Sequence, residues 1–487
     1  MDPILQYVFT ALPFIVVLAM AVLSVVGIGV GLVQPRMLAY IYLAVYFLFN
    51  SSNYGNLGIM VVANVYSRGS GLLYFPLLVW YLLGAWCCAR VAAVFSGEAL
   101  ARCKLWPWFW GWTALLALHV AVAMFLDVDL RDALAPSGFS NIIWMAPLVS
   151  LMLLSFRTRA QVIELSRFVM LMGLGRAAYG LARWAIGEGD PNNVYANMNA
   201  IQIKLTFFDI NDSLLCAVAL SIAAVNLFQT GQAHASRFWR SVEWATVMAT
   251  IACIVLSYRR TAWVGLMLAL VVVAFRFPLA RRAKMLLIGL PAAGAAVLFV
   301  AVRRLSQTRG TAGGGIEQFF YDMGSRRFGP ESERMLELQY ALADFLANPV
   351  TGIGSWGRYT GFQRIAWQSG PDGGSFIHSG VLHLTLKSGL LGLALLLGLA
   401  LAFYTFTRRA LRQLPPDLIG LGTAGLAGIA FMLPDFLIGT PVPQLRTTQM
   451  LAFCMALPYV AMAGASAARA VQAAAPVRFP NAGLASP

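Results

Sequence analysis

The sequence predicts an all-α, polytopic membrane protein, and two observations predict it. Hydrophobic residues make up 59% of the 487-residue chain and charged residues only 11%, against about 25% charge in a soluble globular domain. Apolar stretches of spanning length also recur through almost the whole chain. A membrane helix needs roughly 20 such residues, because each adds about 1.5 Å across a core about 30 Å thick. The chain therefore reads as one membrane domain over 1–466 with no soluble domain attached. An Ala- and Pro-rich tail over 467–487 is expected to be disordered and cytoplasmic. The first helix is not expected to be a cleavable signal, since Met1-Asp2-Pro3 offers no positive flank and apolar segments continue after it.

In chain order, spanning segments are expected near 11–33, 37–50, 71–95, 106–126, 141–156, 162–183, 213–229, 241–257, 261–277, 285–302, 378–406, 418–438 and 447–465. The second is short enough to re-enter, so 12 or 13 spans are expected. Short arginine-rich loops stay in the cytoplasm. Arg157 with Arg159, Arg276 through Lys284, and Arg408, Arg409 and Arg412 all obey one alternating topology. That topology puts 127–140, 184–212, 258–260, 303–377 and 439–446 on the outer side. The net charge of +15 is spent on membrane topology, so nucleic acid is not an expected partner. Cys87, Cys88, Cys103, Cys216, Cys253 and Cys454 form no CxxC pair and read as small core residues.

The stretch 303–377 is the long polar insertion. It opens on a flexible run, Gly310 to Gly315, and then starts a helix. Pro330 suits the first turn, and Glu331 and Glu333 complement the positive end of the helix dipole. Met335, Leu338, Leu342 and Phe345 recur at spacings of three and four, which predicts an apolar face turned to the membrane surface or to the bundle. Asn348-Pro349 stops the helix, because proline disfavours helical geometry in the residue before it.

Charges at the rim of a membrane are costly and mark candidate sites. Ser257-Tyr258-Arg259-Arg260-Thr261-Ala262-Trp263 sets two arginines at an outer turn. They read either as a phosphate clamp, since guanidinium matches phosphate oxygens, or as side chains snorkelling to headgroups. Arg334 borders the apolar stripe of the loop helix, and Arg176 and Arg183, seven apart, share a face of the sixth span. His378 stands where the loop re-enters the membrane and reads as a base or as an interface residue. His383 and Lys387 are four apart, on one face and deeper, where they line a cavity or pair with other groups. Gly389 and Gly392 leave room for another helix. His119 and His234 have no supporting context.

Three of these stretches together resemble the bacterial O-antigen ligase and O-antigen polymerase superfamily. Leu256 through Trp263 is similar to its Ser-x-x-Arg-(Gly/Thr)-Ala-Trp signature, with Arg260 at the arginine position. Glu333-Arg334 through Asn348-Pro349-Val350-Thr351-Gly352-Ile353-Gly354 resembles its loop pattern, and His378 through Gly392 its re-entry motif. Phe208-Asp209-Ile210-Asn211-Asp212 is weakly similar to an Asn-bearing segment. Ser379 stands for the commoner Asn, and Lys387 where many members have Glu.

The resemblance implies a GT-C-like fold in the bacterial inner membrane with a periplasmic active face. It implies a metal-independent glycosyltransferase, without cofactor, that moves a glycan from undecaprenyl diphosphate to a sugar hydroxyl. The acceptor is a second lipid-linked glycan in an O-antigen or exopolysaccharide polymerase, the favoured reading, or lipid A-core in a ligase. A chain-length regulator or a flippase is an expected partner, beside membrane lipid. His378 is expected to be catalytic. Arg260, Arg334, Arg183, Arg176 and Arg259 are expected to bind the diphosphate, and His383, Lys387 and Asn211 to line the acceptor cavity. A lipid-linked oligosaccharide transporter is the rival class, disfavoured because polar residues gather on one side and no repeat is visible.

Overall fold

A computed structural model describes residues 29, 31–49, 65–66, 74–97, 103–191, 193, 204–229, 236–284, 330–365, 368, 370 and 373–474, with scattered positions between 287 and 302. Its main helices are α1 Pro35–Leu48, α2 Leu77–Phe95, α3 Trp106–Phe125, α4 Met145–Ser155, α5 Arg159–Ile186 and α6 Ile210–Phe228. They continue with α7 Arg237–Val255, α8 Arg260–Ala274, α9 Pro330–Ala347, α10 Gly380–Gln413, α11 Pro416–Ile438 and α12 Leu445–Ala474. Among the described residues there is no strand.

Seven of these helices, α2, α3, α6, α7, α10, α11 and α12, are long and apolar enough to cross a membrane. α1, α8 and the stretch Ser140–Ser155 are apolar but shorter. The protein is thus an all-helical, polytopic membrane protein. Most of the expected first span and all but scattered positions of the expected 285–302 span lie outside the described residues, as do Gly310 to Gly315. α12 continues to Ala474, past the tail boundary expected at 466, and the rest of the tail lies outside the described residues.

Side-chain contacts mark the two ends of the bundle. At one end Arg36 pairs with Glu164 at 3.6 Å and Arg159 with Asp417 at 2.6 Å. There Arg276 donates to the Leu411 carbonyl at 3.2 Å and Arg281 to that of Phe228 at 2.6 Å. Thr158 and Gln161 close a capping box that starts α5 from this basic end. The arginine-rich loops read from sequence as one side therefore do meet at one end.

α6 is the central helix: every residue from Ile210 to Val225 is buried, against α5, α7 and α11. A second, smaller core lies beyond the main one, where Ala341, Tyr359, Ile365, Ile377 and Leu386 pack with Tyr340, Phe345, Ile353, Phe362 and Leu382. This core fastens the polar loop to the start of α10. As the sequence predicts, α9 begins at Pro330 and ends at Asn348-Pro349. The structure divides the predicted stripe between its two faces. Glu337 and Ala341 are buried, while Met335 and Leu342 point outward and are exposed. Phe345 packs on the second core, and the buried part of the inward face is specified by one carboxylate and a small residue.

α10 is not one continuous helix. Gly389 has φ 64° and ψ −160°, a region essentially restricted to glycine, and divides it. A break leaves backbone groups without helical partners, at a cost of several kcal/mol each in a membrane. The Asn-Pro-Val-Thr-Gly-Ile-Gly segment supplies the partners. Ile353 N donates to the Leu386 carbonyl at 2.9 Å, and Leu390 N to that of Pro349 at 2.8 Å. A Cβ at Gly352 would overlap the Leu386 carbonyl, and one at Gly389 would overlap that of Val350. The two glycines therefore admit each other's backbone. Gly389 makes room for the loop and not for another helix, whereas beside Gly392 the neighbour from another helix is Trp112 of α3.

Candidate active site

The end of the bundle opposite the basic one gathers the predicted site residues in two groups. The first is built on α9 and the start of α10. Ser379 caps α10 by accepting from Leu382 N at 3.3 Å, a role that Asn performs equally well. This cap sets His378 just before the helix. His378 Nδ1 lies 2.9 Å from Glu337 Oε2, and His378 N donates to the same oxygen at 3.0 Å. Gln368 Nε2 donates to Glu337 Oε1 at 2.9 Å, and its own oxygen accepts from Gly374 N at 2.9 Å.

Glu337 is fully buried, and its partner His378 keeps 22% of its side chain exposed. A carboxylate only accepts, so Nδ1 carries the proton shared with Glu337. Arg334 is exposed one turn before Glu337, on the adjoining face of α9.

The second group surrounds residues 205–212. Asp209 caps α6 through Asn211 N at 2.9 Å, and Asn211 Nδ2 reaches Asp209 at 2.7 Å and Thr447 at 3.0 Å. Arg176 grips Asp212 with two bonds, of 3.0 and 3.1 Å, and donates to the Leu48 carbonyl at 2.9 Å. Arg183 pairs with Asp190 at 3.3 Å and donates to the Thr206 carbonyl. The Phe207 ring lies beneath both guanidiniums, 4.5 Å from that of Arg176 and 5.2 Å from that of Arg183.

Arg446 completes this network. It pairs with Asp209 at 2.8 Å and Asp212 at 2.7 Å and donates to the Tyr46 and Phe47 carbonyls at 3.2 and 3.1 Å. Arg446 and Arg176 thereby cap the last turn of α1. That helix stops after 14 residues, about 21 Å at about 1.5 Å per residue, so alone it falls short of a bilayer core.

At the turn into α8, Arg259 pairs with Asp435 at 3.3 Å and donates to the Phe208 carbonyl. Thr261 reaches the same Asp435 oxygen at 3.5 Å. Arg260 stands between these two anchored residues and is exposed. α11 joins the two groups. Asp435 holds Arg259 and Thr261, and the next residue, Phe436, has its carbonyl 3.1 Å from where a Cβ on Gly380 would sit. The arginine turn and the start of α10 thus both touch the last turn of α11.

His383 and Lys387 lie on the part of α10 before the break, both fully buried. His383 Nε2 is 3.0 Å from the Gly138 carbonyl, and Lys387 donates to the Gly357 carbonyl and to that of Ser355 at 3.5 Å. Their partners belong to the polar loops. His119, without context in the sequence, accepts from Ser355 N at 3.1 Å and holds the same turn from the other side. His234 lies outside the described residues. The six cysteines are free, four of them buried.

Sequence reasoning missed Glu337, Gln368, Asp435 and Arg446. Glu337 could have been found as a carboxylate three residues after Arg334 in a half-apolar helix. Arg446 could have been found as a lone cation just before an apolar span.

The fold and the site define a polytopic α-helical membrane protein in which most of the buried ionic and histidine chemistry of the described residues gathers at one end. Residues 245–397 match the family model described as O-antigen ligase. The match contains Arg259-Arg260, all of α9, Glu337, His378 and the break in α10, and it supports the O-antigen ligase and polymerase superfamily read from the motifs. No curated protein matches the chain.

Proposed function

We propose that this protein is an inner-membrane glycosyltransferase that moves a glycan from an undecaprenyl diphosphate carrier to a sugar hydroxyl on the periplasmic side. The observation that carries this reading is the Glu337–His378 pair, 2.9 Å apart, set on a polar loop beside an arginine-bearing turn. His378 Nε2 takes the proton of the acceptor hydroxyl. The hydroxyl oxygen then bonds to the anomeric carbon as the bond to the diphosphate oxygen breaks, and undecaprenyl diphosphate leaves with the electron pair. Arg260 and Arg334 neutralise the charge that grows on the leaving group. Arg183 and Arg259, each paired with a carboxylate, Asp190 and Asp435, are the further diphosphate-binding groups, and Arg176, gripped by Asp212, holds the framework. In this reading the arginines do the charge neutralisation and no metal ion is required. His383, Lys387 and Asn211 shape the acceptor side by holding the loops and the start of α6.

The favoured acceptor is another lipid-linked glycan, which makes the protein an O-antigen or exopolysaccharide polymerase. The description of the matching family favours a second reading, in which lipid A-core is the acceptor. A strain lacking the protein separates the two. Single-repeat products mean a polymerase, whereas intact lipid-linked polymer missing from lipid A-core means a ligase. Loss of an extracellular polymer with normal lipopolysaccharide means an exopolysaccharide enzyme. An unchanged surface glycan would remove the reading altogether.

A further inference from the structure

α9 has two faces of opposite chemistry. Its inward face carries Glu337 and Ala341, both fully buried against α10 and the loop. Its outward face carries Met335, Leu342 and Leu346, spaced seven and four apart, and Val350 follows just past its end. Their exposures run from 47% at Leu342 to 65% at Leu346, with 59% at Met335 and 60% at Val350. Large side chains of this kind, aligned along a whole helix, leave an apolar strip that water does not stabilise.

The strip has a continuation. The Pro349 and Val350 carbonyls bond to Leu390 N and Leu391 N at 2.8 and 3.4 Å. Those two leucines are 50% and 45% exposed and open the outer face of the spanning part of α10, followed by Leu397 at 60% and Leu401 at 62%. That face is turned to hydrocarbon in a spanning helix. The strip on α9, crossed by the exposed Gln339, therefore leads through Val350 to a lipid-facing surface.

We infer that α9 is an interfacial helix whose Met335–Leu342–Leu346–Val350 face is immersed in the membrane, with bilayer lipid as its occupant. A helix with one apolar face and one polar face lies in the plane of the interface in this way. The consequence is mechanical. The bilayer holds one side of the helix while the other side holds His378 through Glu337, so lipid contact sets the height of the site above the membrane.

Spin labels test it in the full-length protein reconstituted in phosphatidylethanolamine–phosphatidylglycerol nanodiscs. Leu346→Cys and Leu342→Cys are labelled in a background where Cys87 and Cys88 are alanine. Leu401→Cys serves as a lipid reference and Gln363→Cys, exposed on the loop, as a water reference. The expected result is a several-fold higher ratio of oxygen to nickel-chelate accessibility at 346 and 342 than at 363, approaching that at 401. A ratio equal to that at 363 would overturn the inference. Protection from both reagents would overturn it too, because protein, such as a second copy, would then cover the face. Should Leu342→Cys fail to fold, Leu346→Cys, the more exposed position, gives the same readout.

Discussion

Replacing Glu337 by alanine isolates what the carboxylate does for His378. Glu337 accepts three hydrogen bonds, from His378 Nδ1 at 2.9 Å, His378 N at 3.0 Å and Gln368 Nε2 at 2.9 Å. A hydrogen bond to a charged group is worth about 1.5–3 kcal/mol. If the bond to Nδ1 is needed to hold the imidazole in the transition state, its loss lowers kcat by about 10- to 100-fold, at about 1.4 kcal/mol per tenfold. KM should hardly move, since Glu337 is fully buried and touches no substrate.

Glu337→Gln is the finer probe. Gln368 cannot turn its amide without losing Gly374 N, so either orientation of the new amide sets an N–H against another donor. Its kcat should fall between wild type and Glu337→Ala. The assay is glycan transfer from a lipid diphosphate by purified protein, with helix content and melting temperature as folding controls. Wild-type kcat in both variants would refute the coupling between Glu337 and His378.

Two further outcomes follow from the framework. Gly389→Ala forces a side chain into backbone torsions that cost about 1–3 kcal/mol and against the Val350 carbonyl, so the loop should detach from α10. Limited proteolysis should then cut near residues 349–365 faster than in wild type, and unchanged protection would contradict the docking. Arg446→Met leaves Asp209 and Asp212 short of a buried partner, a change that costs about 3–5 kcal/mol. The melting temperature in detergent should drop by several degrees, and an unchanged value would mean the ion network contributes nothing.

Much of this arrangement was legible in the sequence because membranes impose simple rules. Apolar length gave the helices, and basic loops gave an end of the bundle at which Arg159, Arg276 and Arg281 do meet other helices. The start and stop of α9 followed from Pro330 and Asn348-Pro349 because proline acts locally. What stayed hidden depends on partners distant in the chain. Glu337 looked like any helix-surface acid until folding set His378, 41 residues later, against it. Arg446 is separated from Asp209 by 237 residues. The break at Gly389 was read as helix packing, since the positive φ and the loop filling the gap appear only in three dimensions. The apolar stripe of α9 did not reveal the buried Glu337–Ala341 face, because amphipathic spacing identifies a face without naming what the other one touches.

In the proposed reaction His378 takes the acceptor proton. Its most direct test is the single-turnover rate of glycan transfer by purified His378→Ala in nanodiscs, at saturating lipid-linked donor. The loss expected on removing a general base is about 10²- to 10⁴-fold, with donor binding retained through Arg260 and Arg334. Transfer at the wild-type rate would contradict the account.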